Sequence, residues 1–368
     1  MGRSDSLTAQ ALRKFTKNFW GVFSLILLVV AVLVAIFAYA LAPDNSRNAN
    51  QMHVSIHSQS PGFAVDLLTV PSELKQEQSA LSAFFTGRKT SDSELPIAAY
   101  ELTDSGIVIT EYAQDGLEGL QKQFHLSKFP KADSPEEIVT NYIRNEKFLL
   151  GTDKYGRDLL SRMLVGIRIS LAIGFVSVLI SLLIGMTLGA VAGYFGGRID
   201  TVIMWIINVT WSIPTLLLVI AITLALGKGF WQVFIAVGLT MWVEVARVVR
   251  GQVMSVKNMQ YVTAAKALGY DNFRIISKHI IPNILAPVIV ISAANFAAAI
   301  LIESGLSFLG IGAQPPMPSW GGMIKDHYNY IVLGKPYLAI VPGIAIMVLV
   351  MAFMLIGNAL RDALDVKM

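Results

Sequence analysis

The sequence predicts an all-α polytopic membrane protein: six transmembrane helices, with a small β-containing extracytoplasmic insert between the first and second. Three observations carry that expectation. Of 368 residues, 54% are hydrophobic and only 15% charged, against roughly 25% charged in an ordinary soluble domain, and the mean hydropathy is +0.58. Apolar runs long enough to cross a bilayer recur along the chain. Between the first two runs, residues 43–150 turn polar and show local alternation of apolar and polar side chains. The net charge of +4 is modest, no basic run suggests a nucleic-acid partner, and the absence of cysteine excludes disulfides, thiol catalysis and Cys-ligated metals.

Residues 1–18 are polar and basic, with Arg3, Arg13, Lys14 and Lys17, and an apolar run follows over about 19–41. Ala38-Tyr39-Ala40 imitates a small-x-small cleavage site. The run is nevertheless too long for a signal h-region of about 7–15 residues, so an uncleaved first helix with a cytoplasmic N-terminus is expected. In the insert, Met52, Val54 and Ile56 alternate like a strand. Asp104-Ser105-Gly106 reads as a hairpin turn, with Ile107 and Ile109 on one face of the strand behind it. His53 and His57 could share a strand face, but two histidines without a third ligand read as surface residues, and no metal is assigned.

Residues 151–171, GTDKYGRDLLSRMLVGIRISL, begin like a phosphate loop. Arg157-Asp158 stands where Lys-Ser/Thr is required, however, and no strand precedes it, so the nucleotide-binding reading fails. Leu159, Leu160, Met163 and Leu164 form an apolar stripe beside Arg157, Asp158, Arg162 and Arg168. That pattern predicts an amphipathic helix at the membrane surface ahead of the second span. The segment closely resembles the GTD-x-x-GRD-x-x-SR opening of the C-type permease subunits of dipeptide, oligopeptide and nickel ABC importers.

Five further spans are expected, at about 170–193, 201–226, 230–249, 284–305 and 337–358. Gly185, Gly189 and Gly193 make two overlapping GxxxG steps, which read as close helix packing. Asn208, Trp211, Ser212 and Pro214 in the third span, and Ser292 and Asn295 in the fifth, can line a water-filled translocation path or simply satisfy one another. Glu244 and Glu303 lie near span ends, where an ionised group can reach the interface, so neither marks a proton relay.

Between the fourth and fifth spans the polar stretch 250–283 centres on YVTAAKALGYDNFRIISKHIIPN, residues 261–283. Good helix formers precede Gly269, a residue suited to a left-handed helix end. Asp271 or Asn272 can cap a second helix, and Pro282 forbids unbroken continuation. Ala264 and Ala265 offer a side-chain-poor surface to a partner's groove. The order Ala264-Ala265, Gly269, Ile280-Ile281-Pro282 resembles the cytoplasmic EAA loop of ABC importer permeases. The resemblance implies ATPase coupling through Tyr261, Thr263, Ala264, Ala265, Gly269, Arg274 and Pro282. Thr263 stands where the family usually has Glu.

Charge orients the chain. Placing both termini inside gives the cytoplasmic pieces Arg3, Arg13, Lys14, Lys17, Arg198, Arg247, Arg250, Lys257, Lys266, Arg274, Lys278, Arg361 and Lys367. Only Lys228, Lys325 and Lys335 fall on short outer loops, as the positive-inside rule requires. The loop 306–336, rich in Gly, Pro and aromatics, then faces outward. The tail from Gly357 to Asp365 again resembles the C-type ending.

The expected organisation is therefore 1–42, cytoplasmic N-terminus and first helix; 43–150, insert; and 151–368, permease core. The resemblance implies a subunit of the bacterial inner membrane, paired with a homologous B-type permease, two ATPase subunits and an extracytoplasmic substrate-binding protein. ATP and Mg would be bound by the ATPases, with no cofactor and no catalytic residue in this chain. The alternative is a stand-alone secondary transporter or channel, which would more often bury a charged residue mid-span; a membrane hydrolase lacks any in-span histidine. The sequence leaves the cargo open among dipeptide, oligopeptide and nickel chelate. The purified chain is expected to show no nucleotide binding, because the Gly151–Asp158 lookalike lacks its cation and hydroxyl; specific photolabelling by azido-ATP would refute this.

Overall fold

A computed structural model of the chain describes residues 7–72, 78–89, 91–114, 116–227 and 229–364. Arg3, Lys228, Asp365 and Lys367, used above for topology and family resemblance, lie outside the described residues. The chain divides into two compact units, one built from 1–32, 169–314 and 343–368, the other from 33–168 and 315–342.

The principal helices are α1 (Leu7–Lys17), α2 (Phe19–Ile36), α3 (Leu159–Phe195), α4 (Gly197–Ser212), α5 (Thr215–Leu226), α6 (Phe230–Val256), α7 (Gln260–Ala267), α8 (Leu285–Phe308), α9 (Trp320–His327) and α10 (Tyr337–Leu364). Among the described residues five helical stretches are long and apolar enough to cross a membrane, and α4 with α5 makes a sixth if that pair, bent by 93°, is one span. The straight span expected over 201–226 is thus broken at Ile213-Pro214. Proline lacks the N–H a continuing helix needs, and its ring crowds the preceding turn.

In the first unit the glycine ladder of α3 meets α6. A Cβ on Gly185 would stand 2.6 Å from Val245 Cβ. On Gly189 it would stand 2.5 Å from the Ala246 carbonyl oxygen, and on Gly193 2.8 Å from that of Arg250. Only hydrogen fits at these three positions, so the two backbones approach closely, as the GxxxG spacing predicts. Around the contact Val245, Val249 and Val253 of α6 are fully buried with Ala190 of α3.

In the second unit five strands form an antiparallel sheet in the order β4-β3-β2-β1-β5, with β1 Phe63–Val70, β2 Ser93–Thr103, β3 Gly106–Glu111, β4 Gln121–His125 and β5 Ile143–Phe148. The β2–β3 hairpin turns at Asp104 and Ser105, with Thr103 facing Gly106 across the ladder. Ile107 and Ile109 are fully buried with Leu68, Phe129 and Ile138, the last on a helix over Pro135–Tyr142. The strand expected around Met52–Ile56 is instead a 3₁₀ turn over Val54–Ile56. His53 and His57 therefore share no strand face, and His53 is buried, contrary to its reading as a surface residue.

The stretch 151–168 departs most from expectation. There is no separate surface helix, because α3 runs unbroken from Leu159. Its polar side is the buried side: Arg157, Asp158, Ser161 and Arg162 are nearly inaccessible. Asp153, wholly buried, accepts hydrogen bonds at Oδ1 from the amides of Tyr155 (2.8 Å) and Arg157 (3.0 Å). Its Oδ2 takes the Arg157 guanidinium at 2.6 Å, with Arg162 Nε 3.7 Å away. Arg157 also donates to Asn50 Oδ1 at 2.9 Å, and Arg162 to the Ala49 carbonyl at 3.3 Å. An amphipathic count cannot separate a polar face turned to water from one turned into a charge network.

The loop 315–336 contributes α9. Trp320 lies over Gly166 and donates from Nε1 to the Met163 carbonyl at 3.1 Å. Buried His327 sits with Nδ1 2.7 Å from the Met323 carbonyl and accepts the Lys154 amide at Nε2, 3.2 Å away. That pattern fixes the neutral tautomer protonated at Nδ1. Burial is the main cause holding both His327 and His53 below the ordinary histidine range.

Two outcomes follow from this packing. Gly189→Val would force α3 off α6, and its detergent-solubilised form should unfold several degrees below the parent in a thermal scan; an unchanged midpoint would mean the helices are not in this contact. For the histidines, the folded state binds the proton less well than the unfolded chain. Stability is therefore present above the unfolded pKa of about 6.5 and falls as the pH drops through it. Glu94, which burial pushes up, acts in the opposite sense. The double variant His53→Gln, His327→Gln should flatten the unfolding midpoint between pH 7.5 and 5.5, and an equally steep acid loss in it would refute the assignment.

Candidate functional site

The loop after α6 has its own architecture. Helix α7 ends at Ala267, where the Leu268 amide bonds to the Ala264 carbonyl at 3.0 Å and Gly269 takes φ +77°. A left-handed residue there costs glycine nothing, because it has no Cβ. Asp271 then caps the next helical segment, its side chain accepting from the Arg274 amide at 3.1 Å. These are the break and the cap the sequence predicts. Pro282 does not stop the helix that follows. The chain passes through a π-type turn over Ile275–Ile280 and a 3₁₀ turn over Ile281–Ile284 before α8 begins at Leu285. The wider and tighter turns absorb the missing N–H while the segment stays helical over Asn272–Phe308.

One side of this loop is core. Val262, Ala265, Ile275, Ile280 and Ile284 are buried against Ala190 of α3 and Val245, Val249 and Val253 of α6. A fully buried aliphatic side chain of this size contributes about 1.5–3 kcal/mol, so the loop is a built part of the helical unit. Ala265 accordingly corrects an expectation: it faces inward at 3% exposure, and only Ala264 of the pair lies on the surface. Tyr261, Thr263, Gly269, Arg274 and Pro282 are exposed. Thr263 turns its hydroxyl back to the Met259 carbonyl at 3.3 Å, which leaves no charge at the position where a Glu is expected.

The other side holds residues the sequence reading passed over. Leu268 is 71% and Phe273 79% exposed, large apolar side chains at the tip of a polar loop. Their signal was their position: one precedes the left-handed glycine and the other follows the cap. Around them, the Arg274 guanidinium lies 4.1 Å from the Tyr270 ring centroid and Lys266 Nζ 5.2 Å from that of Tyr194. The Tyr194 hydroxyl donates to Asn272 Oδ1 at 2.8 Å. These contacts hold the tip against α3.

The polar residues of the spans separate into two groups. Asn208 accepts from Arg247 Nη2 at 2.7 Å, and the same guanidinium stacks on Trp211, 3.6 Å from its ring centroid. Trp211 also lines a cavity of about 180 Å³ with Thr210, Thr240, Met241 and Glu244. Ser212 is exposed, its hydroxyl bonded to the Val209 carbonyl. In α8, Ser292 bonds back to the Val288 carbonyl at 2.7 Å and Asn295 is buried at 1% exposure; neither lines that cavity. Arg247 and Arg250, expected in the cytoplasmic loop, are on helix α6, and Arg250 forms a two-pronged ion pair with Asp200 of α4 at 2.5 and 2.6 Å. Glu303, expected to reach the interface, is fully buried and accepts from the Ser307 hydroxyl at 2.6 Å.

Comparison with known proteins places this architecture. Residues 185–368 match the family model described as the binding-protein-dependent transport system inner membrane component. Residues 6–61 match the N-terminal TM domain of oligopeptide transport permease C. The dipeptide transport system permease protein DppC of Bacillus subtilis is 44% identical over 241 residues, 64% of this chain and 75% of that protein. The oligopeptide transport system permease protein OppC of Escherichia coli K12 is 41% identical over 217 residues, 59% of this chain and 72% of that one. Among solved structures, an inward-facing form of the MetNI methionine ABC transporter aligns with 55% of this chain and 95% of its own at 18% identity, with a TM-score of 0.46. The chain belongs to the binding-protein-dependent transport system inner membrane components, the membrane-spanning permease subunits of ABC importers.

Proposed function

We propose that this chain is the C-type permease subunit of an ATP-driven importer of short peptides. The observation that carries the cargo is the set of relatives, at 39–44% identity, named as dipeptide and oligopeptide permeases. The chain pairs with a homologous B-type permease, and the two line one translocation path. Asn208, Trp211, Ser212, Ser292 and Asn295 are its contribution, with Arg247 and Glu244 added on the strength of the Trp211 stack and the adjoining cavity. ATP and Mg belong to two ATPase subunits, and this chain supplies no catalytic group. The substrate-binding protein delivers peptide on the outer side, where the insert 43–150 stands. Both termini and the loop 250–283 are cytoplasmic in the bacterial inner membrane, in line with the basic residues of the inner segments.

The loop then works as a lever. Its exposed Tyr261, Leu268 and Phe273 form an apolar tip that enters an ATPase groove, as a short helix does in a cleft. Its buried side, locked to α3 and α6, passes displacement to the bundle. ATP binding elsewhere shifts the balance of inward-open and outward-open states through this contact.

Uptake of labelled di- and tripeptides by the complete complex in proteoliposomes tests the reading; ATP-dependent uptake of other solutes but no peptide would overturn the cargo. Gly269→Val tests the lever. Nothing crowds a side chain at 269, so the variant should insert normally. A β-branched residue is strained at φ +77°, however, and would redirect the tip. Uptake should fall at least about tenfold, with the ATPases less firmly held; parental uptake at parental abundance would remove the role assigned to this turn.

A further inference from the structure

The first span is a ruler for depth. Its helix α2 opens on Trp20, packed edge-on against Phe19 and Phe23, and all three are exposed. Aromatic girdles of this kind sit where a span crosses the bilayer surface. At about 1.5 Å per residue, Phe37 lies about 27 Å along the helix from Phe19, close to the roughly 30 Å of a hydrocarbon core. Phe37 therefore marks the opposite face of the bilayer. A second aromatic cluster gathers there: the Phe37 ring meets Phe84 edge-on at 5.7 Å, and Phe84 meets Phe85 at 5.0 Å.

Phe84 and Phe85 belong to a short helix of the insert, Ala80–Thr86, capped by Ser79, whose side chain accepts the Ser82 amide at 3.2 Å. The helix is two-sided. Gln78 lies along its polar side, donating from Nε2 to Ser82 Oγ at 3.3 Å, Thr86 Oγ1 at 3.4 Å and the Gly87 carbonyl at 3.0 Å. Leu81, Phe84 and Phe85, spaced i, i+3 and i+4, share the other side. Leu81 is 73% and Phe85 52% exposed. Through the contact of Phe84 with Phe37, this apolar side joins the exposed Leu33, Ile36, Phe37 and Leu41 at the end of the span.

Cations follow at the same height. Gly87, at φ +81°, lies against Tyr39, which sits on the helical turn Ala38–Leu41 that prolongs α2. A Cβ on Gly87 would stand 2.7 Å from the Tyr39 ring and 2.7 Å from Arg47 Cα. The Arg47 amide donates to the Arg88 carbonyl at 3.1 Å, and the Lys89 amide to Gln78 Oε1 at 2.8 Å. Arg47, Arg88 and Lys89 are thus held one residue from the end of the span. All three are exposed and line a cavity of about 650 Å³ between residues 46–53 and 88–95. Of the two carboxylates on that lining, Glu94 is paired with Arg144 at 3.0 Å and Asp92 accepts the Ser72 amide at 2.9 Å. The three cations make no ion pair among the described residues.

We propose that the insert is anchored on the bilayer by this helix and binds an anionic phospholipid beside it. Leu81, Phe84 and Phe85 enter the acyl boundary where the first span leaves the membrane. Arg47, Arg88 and Lys89 take the headgroup phosphate. An apolar helix face with cations alongside is the pattern of interfacial binding, in which buried apolar area and attraction to anionic lipid act together. Guanidinium groups suit a phosphate because they offer paired donors in a planar fork. Lipid is the occupant because the apolar face runs on without a gap from the lipid-crossing segment, and its depth along α2 is that of the bilayer boundary.

The chain has no cysteine, so Leu81→Cys or Phe85→Cys takes a single nitroxide. The labelled full chain is assembled with its partner subunits in vesicles of phosphatidylcholine and phosphatidylglycerol. Power-saturation EPR should find both labels reached by oxygen and shielded from a water-soluble nickel chelate. A label at Glu101→Cys, an exposed position of β2, should be reached freely by the chelate. Chelate access at 81 and 85 equal to that at 101 would put the helix in water and overturn the anchor. Shielding from both reagents would mean that a protein covers the face, and would overturn it equally. The headgroup is tested by native mass spectrometry of the complex extracted from the same vesicles. The parent should retain phosphatidylglycerol over phosphatidylcholine, and the triple variant Arg47→Gln, Arg88→Gln, Lys89→Gln should lower that ratio at least about fivefold. Lys147→Gln, an exposed change of the same charge on β5 outside the cluster, should leave it unaltered. None of the three cations is buried or ion-paired, so the triple variant should fold. An unchanged ratio in it, or an equal fall in Lys147→Gln, would overturn the headgroup assignment.

Discussion

The second unit is organised around one carboxylate. Asp153 is fully buried, and its two oxygens collect two backbone amides and the Arg157 guanidinium, with Arg162 alongside. An isolated buried charge of either sign is costly, and removing one partner from such a network leaves the others uncompensated. The same guanidinium groups reach back to Asn50 and to the Ala49 carbonyl, a hundred residues earlier in the chain. Asp44 adds to the link: its carboxylate caps the amides of Ser46 and Gln51, and its own amide donates to Ser161 Oγ at 2.9 Å. The position of the segment 44–51, and of the cavity it walls, therefore depends on charges placed at the opening of α3. Asp158, pushed up by burial, takes two bonds from Ser161 and completes the arrangement.

The helical unit uses a different means. Here the constraint is steric, three glycines of α3 set against the backbone of α6, with valines closing around the contact. In an apolar environment there is little hydrophobic gain from helix association, so close van der Waals packing carries it. The same valines, Val245, Val249 and Val253, are also the floor on which the loop after α6 rests. One packed seam thus ties the loop after α6 to the helices it is proposed to move, and in that proposal the stiffness of the seam carries a push at Phe273 to them.

Polar side chains within the spans divide by whether a neighbour satisfies them. Arg250 and Asp200 satisfy each other in a two-pronged pair, and Ser292 and Ser212 bond to their own helices. Arg247 is held by Asn208 and stacks on Trp211, a ring that itself lines a cavity. Each of these partnerships joins residues far apart in sequence or turns a hydroxyl back on its own helix. The one-dimensional pattern cannot report the distant ones, because a partner 39 positions away leaves no local trace.

What the sequence by itself determined was set by local chemistry. Apolar length marked the spans, the GxxxG spacing marked the packing face of α3, and the Asp104–Gly106 turn placed a hairpin. Gly269 and Asp271 marked the break and the cap of the loop, because left-handed φ and side-chain capping are properties of single residues. The tertiary structure decided whatever depended on which side of an element meets a neighbour. It turned the polar stripe at 157–162 inward and buried Ala265 while leaving Ala264 exposed. It also replaced an expected strand at Met52–Ile56 by a turn that buries His53, and brought Arg47 and Arg88 together across forty residues. In each case the deciding energy is a contact between groups distant in sequence, which no local period or propensity encodes.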